Sequence, residues 1–469
     1  MENRLDALIA YIEKSKKNDF YINIKNCFNW FKDHMGDAEW VERKKLLINY
    51  FKKMEMEFLD FNKLKDSSEN RMIYHYDLII WYMYLADVYL DSLVENEPNQ
   101  AARVLPILAE IGRMINELKK CDGINFKLND LLIKKGNQPD TLLFELLVAC
   151  CYIRNGWNVT FIPESPKEKT PDLLIKKNGS NYFVECKRLN KVTDYSEKER
   201  NEWLKHWKHI SAKMLSHDNS LMLDIVFLNE IDKVKTSDIC NSLADLLSNF
   251  SNNTKTKTLS HKDFTLKLDK IDINKIQLHL VDNNIKLPSP LLYSLIDSEY
   301  STDSSYTFTG YINVCKITEN DDEEKDDRVL NIFLDSVRKI ACAKWECISD
   351  VSLDKKARDI KNLLSKATKQ APDNETTIIH IGYETLHGPA IEKIREKKIK
   401  STINNFDFDS KDIGIIYLHA LQAICPPNEK FDFLETTQWL AKDEYKDIIL
   451  VDDLLINFSD SNKQNKTHW

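Results

Sequence analysis

The sequence has little glycine, no secretory leader pattern and no apolar run long enough for a membrane. Ten glycines in 469 residues exclude collagen-like repeats and argue against propeller and glycine-linker architectures. The first twenty residues contain no continuous apolar segment and no small-residue cleavage site. The most apolar stretch, 77–90, is too short to span a bilayer and contains two aspartates. We therefore expect a soluble, cytoplasmic protein without a membrane partner.

Common metal-binding and catalytic motifs are also missing. The ten cysteines include no CxxC pair, and Cys342 and Cys347 lack a second pair or a histidine that would complete a zinc site. We interpret the cysteines as reduced thiols in packed interiors. GxxxxGK[ST], HExxH and GxSxG do not occur, which argues against a P-loop motor, a zincin and an α/β-hydrolase.

Length and charge limit the number of domains and the kinds of partner that this chain can have. A chain of 469 residues predicts two to four domains, and 42% hydrophobic residues are enough to build their cores. Lysine and arginine number 66 against 74 acidic residues, a net charge of −8. This balance argues against a uniformly basic nucleic-acid binder but allows a local basic groove.

The hydrophobic pattern divides the chain into three parts. Residues 1–130 show helical spacing and predict an all-α N-terminal domain. Residues 131–235 read as a helix, three strands, a helix and a strand beginning at Leu221, which predicts a mixed sheet flanked by helices. Residues 236–469 form a C-terminal α/β region. Its strands near 376–382 and 413–420 either extend the first sheet or belong to a unit of their own.

One group of residues in the second part points to chemistry. Pro171-Asp172 directly precedes the apolar run LLI, and Glu185-Cys186-Lys187 directly follows YFV. The pattern Pro-Asp followed by (Asp/Glu)-x-Lys is common by chance, since Pro372-Asp373 with a later Glu and Lys matches it as well. Side chains alternate along a strand, so Glu185 and Lys187 face one side. The Asn-Gly turn between the two runs predicts a hairpin that brings Asp172 beside them.

Two carboxylates and an ammonium at adjoining strand ends suit phosphodiester hydrolysis. Carboxylate oxygens hold Mg²⁺, which keeps several waters and binds phosphate oxygens. The ion lowers the pKa of a bound water and offsets charge on phosphorus, while Lys187 can orient that water. A surface salt bridge is the competing interpretation of the Glu185–Lys187 pair. It explains an exposed pair better than one at the end of so apolar a run.

Glu145 adds separate support, because it is the single charge in the apolar run Leu142–Cys151. A buried carboxylate without a partner is costly. It therefore needs a metal ion or an ammonium such as Lys187, unless it lies on the exposed side of its helix.

The block from about 139 to 228 resembles the PD-(D/E)xK, or restriction-endonuclease-like, nuclease superfamily. The shared features are a helix with Glu145, a strand, the Pro171-Asp172 strand, the Glu185-Cys186-Lys187 strand, a helix and a strand. The resemblance implies a restriction-endonuclease-like mixed sheet, with Mg²⁺ (Mn²⁺ as a substitute) held by Asp172, Glu185 and the Cys186 backbone carbonyl. It further implies Lys187 as the catalytic lysine and Glu145 as the helix acid near the metal.

Basic residues around this block suggest a path for nucleic acid. From 161 to 215 there are 12 Lys/Arg and 8 Asp/Glu, a local charge of +4. An ordinary solvated surface explains any single one of them equally well. The candidate phosphate contacts are Lys176, Lys177, Arg188, Lys191, Lys205 and Lys208.

The leading hypothesis is therefore a Mg²⁺-dependent nuclease acting on DNA, for which the family resemblance suggests a bacterial defence role against foreign DNA. The helical and C-terminal parts would then supply recognition or assembly, as a homo-oligomer or with a protein partner. The alternative is a nuclease-like fold that binds nucleic acid or serves as a scaffold without cutting. A third hypothesis is a nuclease restrained until a partner or ligand rearranges the helical region.

Overall fold

The computed structural model describes residues 18–59, 73–91, 97–134, 138–164, 169–189, 193–251, 254–316, 329–386, 388–427, 432–457 and 468–469. The helices of this part of the chain are α1 (Asp19–Met35), α2 (Asp37–Leu59), α3 (Leu78–Asp91), α4 (Pro98–Arg113), α5 (Ile115–Leu118), α6 (Ile124–Leu132), α7 (Pro139–Arg154), α8 (Asp194–Ser216), α9 (Thr236–Ser248), α10 (Ile273–Asp282), α11 (Pro290–Ile296), α12 (Asp350–Lys356), α13 (Lys361–Thr368) and α14 (Pro389–Asn404). Its strands are β1 (Asn158–Phe161), β2 (Leu173–Lys177), β3 (Ser180–Arg188), β4 (Leu221–Phe227), β5 (Thr256–Ser260), β6 (Phe264–Lys270), β7 (Ile285–Lys286), β8 (Ser305–Lys316), β9 (Ile332–Cys347), β10 (Thr377–Glu384), β11 (Ile413–Ile424) and β12 (Asp432–Ala441).

Helices α1 to α6 pack around a common apolar core, so the expected all-α N-terminal region is confirmed. Helix α1 begins after Asn18, whose side chain accepts a hydrogen bond from the Phe20 backbone N–H at 3.0 Å, and it ends at Gly36 with φ of 89°. It packs on α4, in which all residues from Ala101 to Gly112 are buried. Trp81 and Phe31 are fully buried in this core, so much of the apolar surface of these helices is used for packing.

The first sheet is mixed and has the strand order β1-β2-β3-β10-β11-β12. Strands β1, β2 and β3 are successively antiparallel, β3, β10 and β11 run parallel, and β12 closes the edge antiparallel to β11. Alternate side chains of β10 enter different cores. Ile378 packs in the core that contains α7, and Ile379 packs with Leu364 of α13 and Ile399 of α14. Helices therefore cover both faces of the sheet.

The hairpin between β2 and β3 has the turn that the Asn-Gly pair predicts. Asn178 and Gly179 both have positive φ, 52° and 85°, as a two-residue type I′ connection requires. This turn fixes the register, in which Leu173 pairs with Val184. Asp172, one residue before Leu173, therefore lies beside Glu185.

The strand that begins at Leu221 does not join this sheet, which corrects the expectation for residues 131–235. Strand β4 pairs with β6 and β9 in a second sheet of order β5-β6-β4-β9-β7, and β8 pairs with the other side of β9. Its partner β9 is parallel to it and more than a hundred residues away in sequence. The neighbours of β3 in the first sheet are instead β2 and β10.

Helix α8 packs on the second sheet through its two tryptophans. Trp203 and Trp207 are buried, and their indole N–H groups donate to the hydroxyls of Thr307 (2.9 Å) and Thr309 (3.1 Å) on β8. The chain from α8 to α12 thus supplies the second sheet and its helices, between two segments that build the first. No helix of the described residues is long and apolar enough to cross a membrane.

Candidate active site

The hairpin and helix α7 bring the predicted acidic residues to one end of the first sheet. The Asp172 backbone N–H donates to the Val184 carbonyl at 3.0 Å, which continues the β2–β3 ladder by one step. The Asp172 carboxylate accepts the backbone N–H of Cys186 at 2.7 Å. This bond holds the aspartate beside the start of the Glu185-Cys186-Lys187 segment. The Asp172 charge there contributes to raising the pKa of Glu185.

Glu185 and Lys187 form a direct ion pair on the same side of β3. The Lys187 ammonium donates to Glu185 Oε1, and the glutamate side chain is completely buried while the lysine side chain is 16% exposed. Glu185 Oε2 is also buried and has no hydrogen-bond partner among the described residues. A buried carboxylate oxygen without a partner is costly, so this oxygen faces a position where a cation would be stabilising.

Glu145 lies on the buried side of α7, but its partner is not Lys187. Its Oε2 accepts from the ammonium of Lys127 on α6 at 2.5 Å, and both side chains are almost fully buried. Lys187 acts on Glu145 only through space, as a nearby positive charge. The expectation that Glu145 needs a charged partner is therefore met by a residue of the N-terminal helices.

Lys127 is the site residue that sequence reasoning missed. It lies in INFKLNDLL, where Ile124, Leu128 and Leu131 are all buried at helical spacing. Position 127 falls on that same face, three residues after Ile124 and four before Leu131. A lone lysine on an apolar face was the available signal, and it pairs with the lone glutamate on the apolar face of α7.

Helix α7 is seated closely on the sheet next to Glu145. A Cβ placed on Gly382 of β10 would lie 2.5 Å from the ring of Phe144, so only glycine allows this approach. Phe144 is fully buried. The contact fixes the position of the helix along the sheet and therefore the position of the carboxylate that follows it.

Burial dominates the electrostatics of this cluster. Burial raises the pKa of Glu145 to about 8, with the Asp172 charge adding to the shift and Lys127 opposing it. Burial also raises the pKa of Asp172, against the effect of Lys187, and raises the pKa of Glu185 well above its usual value. Crowded carboxyl groups in a desolvated site favour a cation among them, because its charge would stabilise the ionised forms.

The donor set fits a magnesium ion held by two carboxylates. No group of three or more His, Cys, Asp and Glu side chains in the described ranges is arranged to hold a metal ion. Asp172 and Glu185 supply two carboxylates, and Mg²⁺ typically takes only one or two and keeps its waters. The unpartnered Glu185 Oε2 is the observation on which this fit depends. The Cys186 carbonyl remains the predicted third ligand, while the Cys186 side chain is buried in the core that contains α7.

Arg188 is not available for phosphate, which corrects its assignment as a nucleic-acid contact. Its side chain is 5% exposed, pairs with Glu384 at 2.5 Å and donates to the Asp140 carbonyl at 3.0 Å. Arg103 of α4 pairs with the same two acidic residues, at 2.8 Å and 2.5 Å. These four side chains connect the N-terminal helices to α7 and β10.

The predicted basic residues do not converge on the site. Lys177 is bound to the end of α7, where its ammonium donates to the Asn155 carbonyl at 2.7 Å and lies 5.7 Å from the centre of the Trp157 ring. Lys176 is exposed but lies at the turn end of β2, on the order of 13 Å from Asp172 for four residues of strand. Lys191 lies outside the described residues.

Lys205 and Lys208 are exposed on α8, beside a groove of about 1400 Å³ between this helix and β8. Lys205 pairs with Glu202 at 2.7 Å. The groove is lined by four basic and four acidic side chains, and by none of the four predicted catalytic residues. It therefore carries no net charge that would select a polyanion.

Comparison with known proteins found no family model, no curated protein and no solved structure that matches this chain.

Proposed function

We propose that this protein is a Mg²⁺-dependent nuclease that hydrolyses phosphodiester bonds of DNA. The observation that carries the proposal is the Asp172–Glu185–Lys187 group, in which Glu185 Oε2 is buried beside two other ionisable groups and has no hydrogen-bond partner in the described part of the chain. A purely structural role for this group would leave that oxygen desolvated at a cost. A bound cation would offset this desolvation cost and would explain why the three ionisable groups lie together.

In this proposal Asp172, Glu185 and the Cys186 carbonyl hold the ion. When bound, Mg²⁺ would lower the pKa of an attacking water and offset the charge that develops on the phosphoryl oxygens. Lys187 would orient the water toward phosphorus or stabilise that charge, since its ammonium already lies against Glu185. Water attack forms the new P–O bond, and the leaving oxygen departs as the old bond breaks and takes a proton.

The arrangement of the first sheet supports a restriction-endonuclease-like core. Helix α7, strands β1, β2 and β3, helix α13 and strand β10 follow one another in the order expected from the resemblance, if 189–360 is set aside as an insertion. Leu364 and Ala367 of α13 pack in a core on the sheet face opposite α7. The second helix and the fourth strand of the core are thus proposed at 361–384 rather than at 194–228.

A cleavage assay with matched lysine variants tests the proposed function. Wild-type protein should nick or linearise DNA in Mg²⁺ or Mn²⁺, and Lys187→Met should reduce the rate by about a hundredfold or more, as expected for a group that stabilises transition-state charge. Lys275→Met, which changes an exposed lysine of α10 outside the predicted phosphate contacts, is the control and should cut like wild type. Equal cleavage by Lys187→Met and wild type would contradict the assignment.

The non-cleaving alternative has one observation of its own. Both ammonium groups of the cluster are already paired, Lys187 with Glu185 and Lys127 with Glu145, so the cluster is close to neutral without a metal. Retained DNA binding with no uptake of Mn²⁺, measured by calorimetry, would favour a nucleic-acid-binding or scaffold protein. The proposal includes a role in defence against foreign DNA, in which the protein would act with a partner or as an oligomer.

A further inference from the structure

The Lys127–Glu145 pair joins two different helices, α6 and α7. Helix α7 packs on the sheet, whereas α6 is held by the N-terminal helices. The Arg43 side chain of α2 donates to the Leu132 carbonyl at the end of α6 at 2.6 Å, and His34 of α1 lies 2.9 Å from the Asn129 side chain. The turn before α6 also meets the sheet, because the Phe161 N–H of β1 donates to the Asp122 carbonyl at 2.9 Å. Lys127 is therefore placed by the helical bundle together with the edge strand β1.

The pair changes how many anionic ligands can face a cation. Three carboxylates influence one another here, those of Glu145, Asp172 and Glu185. The bond to Lys127 occupies Oε2 of Glu145. Glu185 also pairs with a lysine through Oε1, but its buried Oε2 has no hydrogen-bond partner among the described residues. Asp172 accepts a backbone N–H and no ammonium in the described part of the chain. Two carboxylates thus remain for an ion, and the third is committed to an ammonium.

We propose that Lys127 is a positioning residue that keeps Glu145 from ligating the metal and so limits the site to two carboxylates. The inference rests on the proposed function, because it concerns the same metal site. A two-carboxylate site suits Mg²⁺, which retains its waters, whereas a third carboxylate favours Ca²⁺, which takes six to eight oxygen ligands. The N-terminal helices are then part of the active site through one side chain.

Cation binding by full-length protein tests this, with Mn²⁺ and Ca²⁺ affinities measured by titration calorimetry. Lys127→Met should tighten Ca²⁺ binding by about tenfold or more, since it frees a carboxylate and removes a nearby positive charge. Glu145→Gln should weaken Mn²⁺ binding by about tenfold, because the Lys127 charge remains unpaired beside the site. Lys127→Met/Glu145→Gln should return both affinities to within about threefold of wild type, since neither charge is left.

The double variant distinguishes the proposed role of Lys127 from the possibility that Glu145 is itself a metal ligand. If Glu145 were a ligand, Glu145→Gln and the double variant would lose Mn²⁺ affinity equally, and the proposal would fall. Unchanged affinities in all variants would make the pair a packing feature and would also overturn it. The comparison of Glu145→Gln with the double variant holds even if Lys127→Met does not fold, and Lys127→Arg should behave as wild type.

The cleavage and cation-binding experiments distinguish failure of the proposed function from failure of the proposed role of Lys127. Wild-type protein that binds no Mn²⁺ would overturn the proposed function and this inference with it. Mn²⁺ binding that follows the expected pattern, without cleavage of any DNA, would overturn the nuclease function and leave the role of Lys127 intact.

Discussion

Arg188 shows how a basic side chain next to a candidate site can be committed elsewhere. It follows Lys187 by one residue, so strand alternation points it to the opposite side of the sheet. There it pairs with Glu384, which also pairs with Arg103. Because the guanidinium and the carboxylate are both buried, each depends on the other to offset its loss of hydration.

Arg188→Gln should therefore affect folding and not DNA binding. Removing the guanidinium leaves Glu384 with one cation where it had two, and breaking a buried pair typically costs about 3 to 5 kcal/mol of unfolding free energy. Urea unfolding measures the loss, and DNA affinity of the folded variant should match wild type. Arg338→Gln, which changes an exposed arginine of β9 that is not a predicted phosphate contact, is the control. If Arg188→Gln were as stable as wild type but bound DNA more weakly, Arg188 would be a phosphate contact after all.

Individual elements of the first sheet are joined by a buried chain of polar side chains. The Tyr152 hydroxyl on α7 lies 2.9 Å from His380 Nε2, and His380 Nδ1 lies 2.9 Å from His419 Nε2. His419 in turn lies 3.3 Å from Glu435 on β12. Burial, together with the neighbouring His419, lowers the pKa of His380 well below its usual value. The chain thus connects α7, β10, β11 and β12 through an imidazole that stays neutral.

This neutrality predicts a loss of stability in acid. In the unfolded chain His380 takes up a proton near pH 6.5, while in the folded protein it does not, so the unfolding free energy falls as pH drops below 6.5. One histidine accounts for up to about 1.4 kcal/mol per pH unit. His380→Gln should be less stable than wild type at pH 7.5 but less sensitive to pH between 7 and 5. Urea titrations across this range measure the slope.

Exposed His209→Gln is the control for the pH series, and its slope should equal that of wild type. An unchanged slope in His380→Gln would show that other groups cause the acid sensitivity.

The molecule as a whole is acidic, and the described basic residues of its positive segment are dispersed. Of the six predicted phosphate contacts, Lys176 lies at a hairpin turn and Lys205 and Lys208 lie on α8, which packs against the other sheet. Arg188 and Lys177 are bound within the protein. The positive segment seen in the sequence is therefore spread over both sheets, with a net charge of −8 around it.

DNA binding should accordingly depend only moderately on salt. Each phosphate contact contributes a slope of about −0.9 to log K against log salt, so three exposed lysines predict a slope no steeper than roughly −3. Fluorescence anisotropy with a labelled duplex, in Ca²⁺ between 50 and 200 mM NaCl, gives the slope. A value near −6 would show that basic residues outside this set carry the interaction.

Local patterns predicted the parts of the site that depend on neighbouring residues. The Asn178-Gly179 turn, the register beside Asp172 and the burial of Glu145 all follow from signals within a few residues of each position. These features are short-range because a hairpin and a helix face are set by alternation and by turn geometry. The convergence of Asp172 with Glu185 could therefore be read directly from the sequence.

Features that depend on distant partners could not be read in this way. Strand β4 has the composition of a buried strand, but its pairing with β9 instead of β3 is decided by tertiary packing. The commitment of Arg188 to Glu384, 196 residues further along, leaves no local trace. Lys127 did leave a signal on its helix face, yet only the structure identifies Glu145 as its partner.

The pairing of β3 with β10 also determines when the edge of β3 can be covered during synthesis. Glu185 lies opposite Ile379 in this ladder, so the strand that flanks the Glu185-Cys186-Lys187 segment leaves the ribosome about 190 residues later. At 5 to 20 residues per second that delay is roughly 10 to 40 seconds. A nascent or truncated chain that ends before β10 carries Glu185 and Lys187 on a strand edge that lacks its β10 partner. The proposed active site can therefore be completed only after Glu384, the last residue of β10, has been synthesised.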